Sequence, residues 1–288
     1  LKLNEKLEKQ GFITIPNVVS KKTISKLRDL TKIHCNYSGI KKHDGVRQPH
    51  AFRYAPFTLD IFNSKDNLKK EIINIFGKNW SITGHSDLHL NALSGWHRDD
   101  GTSYGDGGYF GYLDYKSSNT GIYKIAIYFQ SHLNFEDGLT VIPKSHINSE
   151  FDTNNPLHIN SELGDILIFD PRLIHTGQVH PIPKALSKDG LNFYNKNENF
   201  LGHLNSSPSK INKILRDEFI RLRGDRMSLF FTIKLNDVNT GNWSKNNMNR
   251  QLIELANDDR DLQQPSCRLG ARLKEICQKY DINYESFL

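Results

Sequence analysis

The chain has 288 residues, with Lys and Arg totalling 38 against 32 Asp and Glu, a net charge of +6 that is spread without a basic block. That length suffices for one large domain with a sizeable core, and the dispersed charge gives no reason to expect a nucleic-acid partner. Three cysteines (Cys35, Cys267, Cys277) in neither metal spacing nor a disulfide pattern, together with no long apolar run and no leader-like start, lead us to expect a soluble cytoplasmic protein without a membrane partner.

In chain order, Ser20 is placed to cap a helix with apolar positions Ile24, Leu27, Leu30 and Ile33. Ser64 and Gly77 bracket a second helix carrying Leu68, Ile72, Ile75 and Phe76. From Ile82 to Asn91 the residues alternate, with Thr83, His85, Asp87, His89 and Asn91 on one face. From Ile122 to Gln130 they alternate again, with Lys124, Tyr128 and Gln130 opposite Tyr123, Ile125, Ile127 and Phe129. A polar strand face is either wetted from outside or lines a site, so Asn91, Lys124 and Tyr128 are candidate cosubstrate or substrate contacts. Ile166 to Phe169 forms a short apolar strand after the Gly164-Asp165 turn, and a further strand begins at Asp225-Arg226. Residues 208–222 and the region from Gly241 read as helical; in the latter, Cys277 shares an apolar side with Leu269, Leu273, Ile276 and Tyr280.

The chemistry concentrates in two segments. Gly95-Trp96-His97-Arg98-Asp99-Asp100-Gly101 presents a histidine and a carboxylate two residues apart. On extended backbone, residues i and i+2 share a face, so His97 and Asp99 can grip one ion. His175 closes the segment that starts at Gly164, 76 residues after Asp99. Two imidazoles and one carboxylate are the facial donor set of non-haem Fe(II), with positions left for a cosubstrate and dioxygen. A lone His-x-Asp triplet recurs by chance, and His85, His89 and His146 read as ordinary histidines, since a fourth ligand would block those positions.

Five motifs in order resemble the phytanoyl-CoA dioxygenase family of iron- and 2-oxoglutarate-dependent oxygenases. They are Glu8 to Ser20, the His97-Arg98-Asp99 triplet with the strand Tyr123 to Gln130, Asp137-Gly138 to Pro143-Lys144-Ser145-His146, Gly164-Asp165 to His175, and the strand Asp225 to Ile233. The resemblance implies a mainly β fold with flanking helices, a double-stranded β-helix (a jelly roll, cupin-like). It also implies Fe(II) on His97, Asp99 and His175, with 2-oxoglutarate and O2 as cosubstrates, and oxidation of a small molecule, most simply by hydroxylation. One oxygenase domain over 1–288 is expected, with its barrel core at about 80–235.

Two positions depart from the family pattern. Lys144 stands where the family turn has glycine, and the arginine that would pair with the far carboxylate of 2-oxoglutarate, Arg226, lies 51 residues beyond His175. A planar guanidinium suits that carboxylate because it offers two parallel hydrogen bonds. Arg223 and Lys184 are the alternatives. The intervening 181–224 is a candidate lid, and the glycine- and tyrosine-rich 100–121 a candidate substrate loop. Arg98, Tyr104 and Tyr109 are the expected substrate contacts, and the tyrosines with the mild basicity favour a small polar or anionic substrate.

Other readings are weaker. The His-Arg-Asp triplet of a kinase lacks its glycine-rich loop and Asp-Phe-Gly partner. Arg223-Gly224-Asp225 is a turn before a strand. A halogenase would have a small residue where Asp99 stands, and a zinc hydrolase would lack a general base. A non-catalytic ligand-binding barrel and a cyclase, desaturase or epimerase of the same iron family stay open, as does the oligomeric state.

Overall fold

A computed structural model describes residues 2–38, 40–42, 45–92, 94–99, 120–133, 138–177, 220, 224–237 and 266–284. The candidate loop tyrosines Tyr104 and Tyr109, the alternatives Lys184 and Arg223, and nearly all of 181–223 lie outside these residues.

The chain opens with α1 (Leu3–Gln10), β1 (Phe12–Ile15) and α2 (Lys21–Ser38). Ser20 caps α2 as expected, its Oγ accepting from the backbone N–H of Thr23 at 3.2 Å. The buried stripe of α2 is Ile24, Leu27, Thr31 and Cys35, whereas Ile33 is 57% exposed. Ile33 lies nine residues from Ile24, half a turn out of phase at 3.6 residues per turn, so the expected stripe drifts off the core face. There follow β2 (Ile40–Lys42), β3 (Gly45–Pro49), α3 (Ala51–Tyr54), a 3-10 segment (Pro56–Phe62) and α4 (Leu68–Phe76). Asn67, not Ser64, stands at the head of α4, and Gly77 ends it with φ 80°.

The strands β4 (Trp80–Leu90), β5 (Ile122–Tyr128), β6 (Thr140–Val141), β7 (Leu157–His158), β8 (Ile166–Phe169), β9 (His175–Thr176) and β10 (Met227–Leu235) precede the closing helix α5 (Ser266–Lys279). Seven strands form one antiparallel sheet in the order β1-β8-β5-β10-β4-β3-β2, and three form a second, β7-β6-β9. The large sheet is wider than residues 80–235, because β1 joins one edge and β2 with β3 the other.

The alternation seen in sequence sorts the two faces. Ile82, Leu88, Ile125, Ile127, Leu229 and Phe231 pack outward against the helices, where the free thiols of Cys35 and Cys277 are also buried. The opposite face carries His85, Asp87 and His89 of β4, Lys124 and Tyr128 of β5, and Ser228, Phe230 and Thr232 of β10. Ala126, Tyr128, Leu167 and Phe169 on this face pack with Leu139, Val141 and Leu173 from the small-sheet side. The polar strand faces thus look inward, into the space between the two sheets.

Candidate metal centre

The small sheet delivers the donors. His97 and His175 form an antiparallel bridge, each backbone N–H donating to the other's carbonyl at 3.0 and 2.9 Å. The Asp99 N–H donates to the carbonyl of Pro171 at 2.8 Å. The turn holding Pro171 is clamped by a buried ion pair, in which Arg172 Nε and Nη2 meet the two oxygens of Asp170 at 3.0 and 2.7 Å. A long-range pairing therefore brings together His97 and His175, 78 positions apart.

The side chains converge as the i, i+2 argument requires. His97 Nδ1 donates to the Gly95 carbonyl at 2.7 Å and His175 Nδ1 to the Leu173 carbonyl at 2.8 Å. A carbonyl only accepts, so each Nδ1 holds the ring proton and each Nε2 turns its lone pair inward. Those nitrogens lie 3.6 Å from Asp99 Oδ1 and 3.4 Å from Asp99 Oδ2. Adjacent donors around an octahedral ion stand roughly 3 Å apart, given metal–nitrogen bonds of about 2.1 Å. Small side-chain movements close that difference, and His97, Asp99 and His175 form the one such ligand cluster among the described residues.

Electrostatics agree with ligation. Burial lowers the His97 pKa to about 4, with His175 adding to the effect, so the imidazole is neutral at pH 7. Burial alone would raise the pKa of Asp99. The Lys124 ammonium, 2.6 Å from Oδ2, outweighs it and holds the carboxyl well below its usual range.

Lys124 enters the site, but its Nζ donates to Asp99 Oδ2 at 2.6 Å, so its charge is directed at the triad. Arg226, 51 residues beyond His175 in sequence, is 3% exposed. Its Nη1 donates to the Ala92 carbonyl at 2.7 Å, its Cζ lies 5.3 Å from the centre of the Tyr128 ring, and a Cβ placed on Gly177 would be 3.5 Å from its Nη2. Gly177 is two residues beyond His175, so tertiary structure returns Arg226 to the neighbourhood of the second metal histidine.

Two expected contacts need correction. Arg98 is 1% exposed and spends its guanidinium on the carbonyls of Ser145, Asn148, Ser149 and Glu150 at 2.6–3.2 Å. It alternates with His97 and Asp99, so when they face the centre it faces away and cannot meet a substrate there. Asn91 is likewise occupied. Its Oδ1 accepts from the Arg226 N–H at 2.8 Å, its Nδ2 donates to Asp225 at 3.0 Å, and its own N–H donates to the Arg226 carbonyl at 2.7 Å. Asn91 positions Arg226 rather than contacting a ligand.

No protein-family model matches the chain, and no curated protein does. Solved structures do. HygX from Streptomyces hygroscopicus, with nickel and 2-oxoglutarate bound, aligns at a TM-score of 0.51 and 12% identity over 81% of this chain and 86% of that one. AviO1 from Streptomyces viridochromogenes Tue57 gives 0.51 and 14% over 82% and 94%, and the non-haem alpha ketoglutarate dependent carbocyclase SnoK from nogalamycin biosynthesis gives 0.50 and 13% over 80% and 82%. The fold is the jelly roll of these enzymes. At such identities the likeness is one of architecture alone.

Within the jelly roll, three inward residues were not marked by the sequence as site groups. Ser228 is 0% exposed and its Oγ has no hydrogen-bond partner among the described residues, two residues along the same face from Arg226. Alternation along β10 is the signal that could have found it. Asp87 and His89 lie on a face legible as polar, but nothing in the sequence gives them a role. His85 and His89 are not ligands in the triad, and His146 is bound to the Glu8 carbonyl through Nε2 at 2.8 Å.

Proposed function

We propose that this protein is an Fe(II)- and 2-oxoglutarate-dependent oxygenase, one domain over 1–288, that hydroxylates a C–H of a small polar molecule. The observation that carries the reading is the convergence of His97 Nε2, Asp99 and His175 Nε2 inside a jelly roll, with a buried arginine beside them. The five ordered motifs support placement in the phytanoyl-CoA dioxygenase family. HygX, which has the same fold, holds nickel and 2-oxoglutarate.

His97, Asp99 and His175 would hold the iron, and Arg226 the far carboxylate of 2-oxoglutarate. When bound, the iron and cosubstrate supply oxidation by O2, coupled to decarboxylation of 2-oxoglutarate to succinate and CO2. The protein's own groups bind and orient. Lys124 engages Asp99 Oδ2 and so favours presentation of Oδ1 to the ion. Tyr128 lies under the guanidinium of Arg226, and the buried Ser228 hydroxyl stands ready to donate to a carboxylate at that end. Phe169 packs edge-on to His175 at 5.0 Å and helps keep water from the centre. Asp99 fills the third ligand position, which favours hydroxylation over halide transfer.

Anaerobic titration with Fe(II) and 2-oxoglutarate tests the reading. A weak visible charge-transfer band is expected in wild type, absent in His97→Ala and weakened in Arg226→Ala. Iron binding without any band would remove the 2-oxoglutarate mechanism, and no iron binding would make the protein a ligand-binding barrel.

A further inference from the structure

On β4, Asp87 and His89 share the inward face and neither belongs to the metal triad; His89 stands opposite Ser228 of β10, and Asp87, its neighbour on that face, opposite Phe230. Asp87 is built in. Its Oδ2 lies 3.2 Å from His85 Nε2, and His85 Nδ1 lies 2.9 Å from Thr232 Oγ1, so a hydroxyl–imidazole–carboxylate chain fixes its orientation. The Asp87 side chain nevertheless retains 24% exposure against 4% for His85, so the chain ends at a carboxylate that a ligand can reach. Asp87 Oδ1 receives no hydrogen bond among the described residues. Among those residues the His89 imidazole has none either, and its ring lies 5.3 Å from that of Phe230.

Charge tells what could meet them. Burial opposes ionisation of Asp87, but the hydrogen bond and charge of His85, with Lys124, keep the carboxyl below its ordinary range. Burial, reinforced by Arg47, pushes His89 down to about 3, so the ring is neutral. Lys124 links the two regions: its Nζ lies 2.6 Å from Asp99 Oδ2 and 5.7 Å from the centre of the Phe230 ring, which stands opposite Asp87. Half-buried polar groups without partners are costly unless a ligand satisfies them. An ionised carboxylate only accepts, and a neutral imidazole offers one donor and one acceptor. A carboxylate or phosphate set against Asp87 Oδ1 would be repelled by the like charge, whereas the Arg226 end, whose charge reaches His89, welcomes a dianion.

We infer that Asp87 and His89 form the substrate-orienting subsite, and that the substrate presents hydroxyl or amino hydrogen-bond donors there rather than an acid group or a plain acyl chain. The inference rests on the iron and 2-oxoglutarate reading and narrows its substrate class.

Mn(II) placed in the triad together with 2-oxoglutarate makes the site a relaxation probe for nearby small molecules. Proton relaxation of glucosamine, rich in hydroxyls with one ammonium, is compared with that of hexanoate. Glucosamine is expected to be enhanced over hexanoate, and Asp87→Asn to lower its affinity about tenfold or more, the scale of one charge-assisted hydrogen bond. His89→Phe, which retains a ring, should also weaken it and carries the comparison if Asp87→Asn fails to hold Mn(II). Equal or greater enhancement of hexanoate, no enhancement of glucosamine, or full enhancement in both variants overturns the subsite. Water-proton relaxation in the same samples reports Mn(II) and 2-oxoglutarate binding directly. If wild type binds neither, the metal and cosubstrate reading falls, and the subsite falls with it for that separate reason.

Discussion

Lys144 and Asn91 show how single backbone conformations serve the centre. Both adopt positive φ, 67° and 57°. Lys144 occupies the turn position where the resembled family has glycine, and a left-handed residue with a Cβ costs about 1 kcal/mol relative to glycine. Lys144→Gly should therefore raise stability by about 1 kcal/mol, read as a shift of the urea midpoint at unchanged slope. Asn91 tolerates the conformation and uses it to bind both Asp225 and the backbone of Arg226. Asn91→Ala should weaken 2-oxoglutarate binding about tenfold, or about 1.4 kcal/mol, while Mn(II) affinity without cosubstrate stays unchanged. Equal loss of both affinities would mean that Asn91 supports the whole centre and not the arginine. The donor residues themselves are legible because His-x-Asp spacing is local. The partners of Asn91 are not, since Asp225 lies 134 residues away and no sequence pattern joins them.

At the level of elements, the stretch 94–99 that follows β4 is held from two sides. The bridge between His97 and His175 ties it to β9, and Arg98 ties it to the stretch following β6 through four carbonyl oxygens. Truncating such a buried guanidinium leaves several acceptors without donors. Arg98→Met should cost about 3 kcal/mol in unfolding and also weaken Mn(II) binding, whereas a substrate contact would have altered ligand affinity alone. The alternation of β4 and β5 is legible in the residues themselves, because a period of two separates inward from outward side chains on any strand. The α2 stripe is less so, because a pattern begun at Ile24 and stepped by threes drifts around the helix until Ile33 faces water.

Across the whole molecule, the two sheets enclose charged and neutral polar groups together, and acid should act on that arrangement. The His89 pKa is depressed from 6.5 to about 3, so the unfolded chain takes a proton that the folded one refuses as pH falls from about 6.5. Stability from this group is complete above pH 6.5, declines toward pH 3 and changes no further below. Thermal midpoints between pH 7.5 and 4.5 should fall less steeply in His89→Leu than in wild type, and parallel curves would place His89 outside the acid response. By itself the sequence determined what is local or periodic: the alternation of β4 and β5, though not which face turns inward, the capping of α2, and the His97, Asp99 and His175 set through its short spacing and its strand context. Tertiary structure decided what depends on distant backbone meeting. Only the folding of β10 beside β4 and β5 brings Arg226 back across 51 residues and sets Asp87 and His89 on one face with Lys124, and only the stretch after β6 supplies the carbonyls that hold Arg98. Contacts of that kind are fixed by sheet register and burial, which no run of neighbouring residues encodes.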